Sequence, residues 1–522
     1  MTPRTGTSPS PTRSPPQYTI FVSLLAMLGI LVAGDPRPAV AAGARQLAVA
    51  PEVAVTANHA SLPEAYNSPV LAVDPTDSRF VVLANRLDAP GPGCALHLSG
   101  DGGRGWVPAA PVAAMPAGTK RCYAPQVAFD GHGLLYFVFA GLAGEDGGSS
   151  GVFLMTSADR GRTFSAPRRL LGPGGVDARV AIDPAVGIGG RLHVVWLQVG
   201  AAPAGDPSAP HDSVLVAYSD DGGRTLSAPV RVGRSGRSVV APALALGPRH
   251  AVYLAYWDRG LVRRGGGDPQ AAAQQTWSVV VASSIDAGVH FGPATVVDAD
   301  VVAVEAAGRV SSVAAPALAA GGPGQLVAAW ADARDGDVDV LVRRSGDGGA
   351  HWSGARRLSG DRAASGGDQY LPHLSVARDG RLDAVFYDRR RDPANVLTDV
   401  SYAYSSDGGR SFAAATRLTA RGSDARIGPR RPGPAGAGTV GFGTELALVS
   451  EGPRVVAAWT DTRNTALPPG QDIFATEVRF PAPGGGSGGM HAVGTAVVLI
   501  AAGGVAAGAR RRRARALQVV AA

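Results

Sequence analysis

Cysteine is scarce in this sequence: the 522 residues include only Cys94 and Cys122. Two cysteines are too few for a small disulfide-stapled domain, and one bridge in an oxidising compartment is their natural use. The sequence also lacks any window that indicates an amphipathic helix of useful length. Its apolar runs are short, alternate with polar residues and end at Gly- or Pro-containing turns, which is typical of β-strands. The sequence therefore predicts an all-β protein.

The central part of the chain also has no excess of positive or negative charge. The formal net charge is +7, of which five charges come from the arginines of segment 510–515 and a net two from residues 1–42. The region between these ends is therefore neutral overall. A neutral domain has no electrostatic basis for binding DNA or RNA, and we expect no nucleic-acid partner.

The N-terminal segment is interpreted as a secretory signal peptide covering residues 1–44. The apolar run Ile20–Ala33 precedes the small residues of segment 39–44, where a signal peptidase would cleave. An uncleaved N-terminal anchor is the alternative. Cleavage is favoured because 14 apolar residues are few for a membrane span.

The C-terminal segment is predicted to anchor the protein in a membrane. Residues 490–509 carry no formal charge and would span about 30 Å as a helix. The basic tail 510–522 would stay on the cytoplasmic side, and residues 481–489 (PAPGGGSGG) would form a flexible linker. A disordered Ala/Gly tail is the alternative. We expect a single-pass cell-membrane protein whose domain 45–480 is extracellular.

An internal repeat runs through the region 45–480. Six segments share the pattern S-x-D-x-G-x-x-aromatic, with Leu226 replacing one aromatic residue, and their first residues are 58 to 65 positions apart. The aspartate of such a turn accepts backbone N–H groups, the glycine allows a positive φ, and the aromatic ring packs beneath the hairpin. We therefore interpret these aspartates as structural rather than catalytic. They are Asp101, Asp159, Asp221, Asp286, Asp347 and Asp407.

The segments around each turn predict the blades of a β-propeller. Four strand-length runs recur in each unit of about 60 residues. Seven second-strand runs can be counted, from Phe80–Arg86 to Arg454–Asp461. Seven blades are therefore expected, and six blades are the alternative. The last unit has three strands, and Gln46–Thr56 could supply its outer strand and close the ring.

The repeated turns resemble the Asp boxes of the sialidase superfamily of BNR-repeat proteins, over about residues 45–480. The resemblance implies the fold more specifically than the activity, because one fold supports many functions. Catalytic sialidases usually carry an Arg-Ile-Pro motif and six blades, and this sequence contains no Arg-Ile-Pro. The expected function is binding of a carbohydrate or glycoprotein ligand, with acidic glycans favoured. An exo-glycosidase of the exo-α-sialidase type is the alternative, and no cofactor or metal is expected.

In propellers of this family the Asp boxes lie opposite the active-site face, so that face is expected to carry the loops after the second strands. A W-x-D-x-R motif and a close variant recur in these loops. Each arginine could pair with its own aspartate and fix the loop. Alternatively, the arginines could together bind a carboxylate or sulfate through their planar donor forks. The residues are Asp332, Arg334, Asp388, Arg390, Asp461 and Arg463.

The innermost strands offer candidates for chemistry. The resemblance implies a tyrosine nucleophile that is activated by a carboxylate, and Tyr370 with Glu445 is the pair expected to fill these roles. His373, Gln126 and Tyr123 are further candidates on these strands. The order of strands in the resembling fold also puts Cys94 and Cys122 on one rim of adjacent blades. We therefore predict a Cys94–Cys122 disulfide.

One loop is rich in carboxylates. Segment 335–339 (DGDVD) contains three aspartates and follows Asp332, and oxygen ligands of this kind suit Ca²⁺. The loop lacks the twelve-residue EF-hand pattern and its distal glutamate. A polar turn that enters the third strand is therefore the preferred interpretation.

Overall fold

The computed structural model describes residues 47–56, 64–89, 93–109, 115–143, 148–186, 189–198, 212–233, 239–259, 276–302, 314–431, 439–464 and 470–481. Seven antiparallel sheets follow one another along the chain, so the protein is an all-β, seven-bladed propeller. The expected blade count is confirmed. The predicted signal peptide, transmembrane segment and basic tail lie outside the described residues. No helix within the described ranges is long and apolar enough to cross a membrane.

The blades are numbered in chain order, and the first strand of each lies next to the first strands of its neighbours. The strands of blade 1 are Tyr66–Val73, Val81–Leu87, Gly93–Ser99 and Val107–Pro108. Those of blade 2 are Arg121–Phe129, Leu135–Leu142, Ser149–Ser157 and Arg168–Leu171. Those of blade 3 are Gly175–Asp183, Arg191–Gln198, Ser213–Ser219 and Val230–Val232. The strands of blade 4 are Val239–Leu246, Val252–Asp258, Thr276–Ser284 and Thr295–Val302. Those of blade 5 are Ala317–Ala320, Leu326–Asp332, Asp339–Ser345 and Arg356–Arg357. Those of blade 6 are Gln369–Val376, Leu382–Asp388, Leu397–Ser405 and Thr416–Arg417.

Blade 7 joins the two ends of the described chain. Its strands are Ala447–Glu451, Arg454–Asp461, Asp472–Arg479 and the N-terminal pieces Ala48–Val49 and Val53–Ala54. Ala48 pairs with Arg479 and Val53 with Ala475, both antiparallel. The prediction that the N-terminal segment is the outer strand of the last blade is therefore confirmed. This pairing closes the ring and covers an otherwise open sheet edge.

Three short elements lie outside this pattern. They are the 3-10 turn Pro248–His250, the strand Ser423–Asp424, which pairs with Leu397–Ser405, and the two-stranded ribbon Arg430–Arg431 with Thr439–Val440. The strand and the ribbon belong to the connection between blades 6 and 7.

The second strands form most of the core. Leu382–Asp388 and Arg454–Asp461 are buried at every residue, and Val81–Leu87 at every residue except the last. Neighbouring blades cover both faces of these strands, which explains why their sequences are nearly continuous apolar runs. Trp196, Trp330 and Trp459 are among the largest fully buried side chains.

The six S-x-D-x-G segments form the same turn between the third and fourth strands. In each turn the serine hydroxyl donates to the aspartate at 2.7–2.8 Å. The glycine N–H donates to the serine oxygen at 2.7–2.9 Å, and these glycines have φ between 76° and 94°. Backbone and side-chain hydrogen bonds from Thr225 hold the pKa of Asp221 well below its ordinary value. These carboxylates therefore act on the turn itself.

The predicted disulfide is confirmed. Cys94 and Cys122 are bonded, with their Cα atoms 5.5 Å apart. The bridge joins the third strand of blade 1 to the first strand of blade 2, and both sulfurs belong to the apolar cluster between these blades.

Candidate functional site

A repeated β-bulge shapes the channel at the centre of the ring. In five blades, two residues of the first strand face one residue of the second strand, as in blade 1 between Asn67 and Val70. Each bulge holds a non-glycine residue at φ between 47° and 54°. These residues are Ser68, Ala124, Asp177, Ala241 and Leu371.

Proline follows the positive-φ residue in four of these bulges, and an alanine follows Asp177 in blade 3. Proline has no N–H to leave unpaired where the ladder is interrupted. The bulges lie near the start of the first strands. Because the strands alternate in direction, this is the end of the channel opposite the S-x-D-x-G turns.

The channel contains a cavity of about 190 Å³. The first strands of blades 1 to 6 line it, together with the residues at the start of blade 7. Blades 4 and 5 contribute only alanine, leucine and proline. The polar lining side chains come from blades 2, 3, 6 and 7, and they are Gln126, Arg179, His373, Thr444 and Glu445.

An ion pair crosses this cavity. Arg179 of blade 3 lies 2.7 Å from Glu445, which directly precedes the first strand of blade 7, and their side chains are 14% and 18% exposed. Burial raises the pKa of Glu445, while Arg179 opposes this shift. Within the described ranges, Arg179 is the only arginine or lysine that lines the cavity.

Three of the candidates predicted from the sequence line this cavity: Gln126, His373 and Glu445. Arg179 was missed. It occupies the same place in its blade as Gln126 and His373, because each is the first residue paired with the second strand after the bulge. An alignment of the first strands around the bulge could have found it. Burial lowers the pKa of His373 to about 4, and Arg179 acts in the same direction.

A second polar group lies at blades 1 and 2. Arg86 is 2% exposed, lies 2.7 Å from Asp88, and packs its guanidinium over the ring of Tyr123 at 4.9 Å. Asn67 donates to Asp88 at 3.0 Å. Tyr123, a candidate from the sequence, therefore supports a buried arginine and is not among the cavity-lining residues.

The predicted catalytic pair of Tyr370 and Glu445 is not formed. The Tyr370 hydroxyl shares a hydrogen bond of 2.8 Å with Thr398 and accepts one from Arg389 at 3.4 Å. Tyr370 is 1% exposed, its ring packs against that of Tyr387, and burial raises its pKa. Glu445 pairs with Arg179 instead. The sequence placed both residues near the start of innermost strands but could not show which way each side chain turns.

The arginines of the W-x-D-x-R loops bind the aspartates of their own motifs. The Arg334–Asp332 and Arg463–Asp461 pairs are 2.5 Å long, and the Arg390–Asp388 pair is 2.7 Å long. Each arginine also contacts a second carboxylate, from Asp298, Glu52 and Asp361 respectively. The structure therefore agrees with the pairing alternative for these loops, and in the described part of the chain no contact joins the three arginines.

The aspartates of the carboxylate-rich loop 335–339 bind other groups of the protein. Asp337 accepts backbone N–H groups from Ala364 and Gly366 at 3.1 and 2.8 Å. Arg357 donates to Asp339 at 2.6 Å and also pairs with Asp335. Among the residues that the structure describes, no group of three or more His, Cys, Asp or Glu side chains is placed to hold a metal ion.

Comparison with known proteins finds similarity at the level of architecture. No family model and no curated protein sequence matches this chain. A Hadza microbial sialidase is 14% identical with a TM-score of 0.44, and the match covers 78% of this chain and 74% of that one. An ulvan lyase, described as a polysaccharide lyase, is 11% identical with a TM-score of 0.49, covering 81% and 95%. An α-L-arabinofuranosidase from Fusarium graminearum is 13% identical with a TM-score of 0.43, covering 68% and 98%.

Substituting Arg463→Ala should destabilise the fold. Asp461 is 1% exposed and Glu52 is 11% exposed, so the substitution would leave one buried and one partly buried carboxylate without their cation. We expect a loss of about 3–5 kcal/mol in the free energy of unfolding, measured with denaturant. Arg426→Ala is the matched control: its pair with Asp424 is 67% exposed on the arginine side, and the expected loss is under about 1 kcal/mol. Equal losses in the two variants would contradict a scaffold role for the motif.

Proposed function

We propose that this propeller binds the acidic end group of a glycan in the channel cavity. The observation that carries the proposal is Arg179, a cationic side chain in a cavity at the centre of the ring. A guanidinium presents a planar fork of donors that matches a carboxylate, so Arg179 is the expected partner of the ligand's acidic group. Gln126 and Thr444 add hydrogen-bonding groups to the lining.

Arg179 suits this role better than the arginines of the W-x-D-x-R loops. Each of those contacts two carboxylates, whereas Glu445 is the one carboxylate within ion-pair distance of Arg179 among the described residues. Besides this ion pair, Arg179 donates one hydrogen bond, to the neighbouring carbonyl of Ala178 at 3.3 Å. Donor capacity therefore remains for a ligand.

The size of the cavity favours one end group over a chain of sugars. Its volume of about 190 Å³ is smaller than the roughly 300–1,000 Å³ of pockets that enclose drug-sized ligands. The wall formed by blades 4 and 5 is aliphatic and lacks aromatic rings. Recognition would therefore come from the polar side formed by blades 2, 3, 6 and 7.

Substituting Arg179→Ala should weaken binding of sialylated or uronic-acid glycans. Loss of charge-assisted hydrogen bonds costs about 1.5–3 kcal/mol, so the dissociation constant should rise about 10- to 150-fold. Titration calorimetry on the full domain measures this change, and Arg426→Ala, an exposed arginine, should bind as the unchanged protein does. The proposal fails if the unchanged protein binds neutral and acidic glycans alike, or if Arg179→Ala binds normally.

An exo-glycosidase is the second candidate, and Glu445 is the observation that favours it. A glutamate whose pKa is raised by burial can hold a proton for a leaving group. Asp177 lies close enough to raise the pKa of Glu445 further. Glycosidases usually use two neighbouring carboxyl groups.

If the protein is a glycosidase, Glu445→Gln should abolish release of the terminal sugar while ligand binding persists. Tyr370→Phe should leave release unchanged, because its hydroxyl is buried on Thr398. Chromatography of the released sugar is the measurement. Activity in Glu445→Gln, or its loss in Tyr370→Phe, would contradict this assignment.

We further propose that the domain is displayed on the cell surface by the C-terminal segment 490–509. The support is the uncharged stretch followed directly by the arginine cluster. Protease added to intact cells should release the propeller and leave an epitope on the tail 510–522 protected. Loss of that epitope before the cells are lysed would contradict this topology.

A further inference from the structure

Part of the donor fork that the proposed ligand needs is already engaged by Glu445. Glu445 lies 2.7 Å from Arg179, and the two residues belong to blades 7 and 3, which are separated by two blades on one side of the ring and by three on the other. The pair therefore crosses the channel instead of joining neighbouring blades. A ligand carboxylate can make full contact with the guanidinium of Arg179 only when Glu445 moves away from it.

Few charged groups surround Glu445. Arg179 and Arg86 favour its ionised form, and Asp177 and burial oppose it. Arg86 is itself paired with Asp88 at 2.7 Å. His373, on blade 6, lines the same cavity, and with a pKa of about 4 it is neutral above pH 5. Arg179 is therefore the main group that favours the ionised form of Glu445.

We propose that an acidic ligand replaces Glu445 as the partner of Arg179, and that Glu445 takes up one proton from solvent when it is displaced. This inference rests on the proposed function. The reaction is a simple protonation, in which one carboxylate oxygen of Glu445 gains a proton and no other bond forms or breaks. Ligand binding and proton binding at Glu445 are thus coupled.

The coupling follows from placing two carboxylates beside one guanidinium. Like charges in one partly buried site cannot both stay ionised without cost, and the pKa of one of them rises. The ligand carboxylate makes the new contact with Arg179, so the proton goes to Glu445. A protonated Glu445 then has an O–H that can donate to the ligand, which turns a repulsive contact into a hydrogen bond.

The test is calorimetry of glucuronic acid or sialic acid binding at pH 6.5 in buffers with different ionisation enthalpies. We expect uptake of about one proton per ligand, and an affinity that falls up to about tenfold per unit of rising pH. Glu445→Gln should bind the same ligand without proton uptake and with an affinity that no longer depends on pH.

His373→Asn is the matched control, because His373 is the other titratable lining group. Its affinity can differ from that of the unchanged protein, because His373 lines the cavity, but each ligand that binds should still take up about one proton. Uptake that is absent from the unchanged protein, or that disappears in His373→Asn but persists in Glu445→Gln, would overturn the coupling while leaving the proposed function intact. Absence of any binding of acidic sugars would instead refute the proposed function. Denaturant unfolding of each variant verifies that it is folded.

Discussion

The face-to-face packing of the blades is the constraint on which the rest of the structure depends. A single four-stranded sheet cannot bury both of its faces, but in the ring each second strand is covered on both sides, as Leu382–Asp388 and Arg454–Asp461 show. The ring must therefore close, and pairing of Ala48 with Arg479 closes it with strands from both ends of the described chain.

Two sets of loops hold neighbouring blades together, one at each end of the channel. At one end the S-x-D-x-G turns pack against the preceding blade: Arg168 donates to the carbonyl of Gly222, and a Cβ on Gly223 would lie 2.5 Å from Leu154. At the other end the W-x-D-x-R loop of blade 5 reaches the outer strand of blade 4, since Asp332 accepts the N–H of Val302 and Arg334 contacts Asp298. The turns recur together with their contacts to the preceding blade, and in the loops the pairing of each arginine with its own aspartate recurs.

Repetition also explains what could be predicted from the sequence. The blade count, the closing strand and the Cys94–Cys122 bridge follow from features that each unit repeats or from the order of strands. The second carboxylate partners of Arg334 and Arg463 could not be predicted, because Asp298 and Glu52 are distant in sequence and meet these arginines only after the blades pack. The direction of the Tyr370 side chain depends in the same way on Thr398 and Tyr387.

The cavity site lies where the repeat is broken. In four bulges a proline follows the positive-φ residue. In blade 3 that position holds Ala178, which Arg179 follows, and the segment before the first strand of blade 7 contributes Glu445. A partly buried ion pair is weak evidence for stability, because removing two charges from water offsets much of their attraction. Aliphatic residues line the same cavity from blades 4 and 5 without harming the ring. The fold alone therefore gives no reason for charge at this place, and the proposed acidic ligand would supply one.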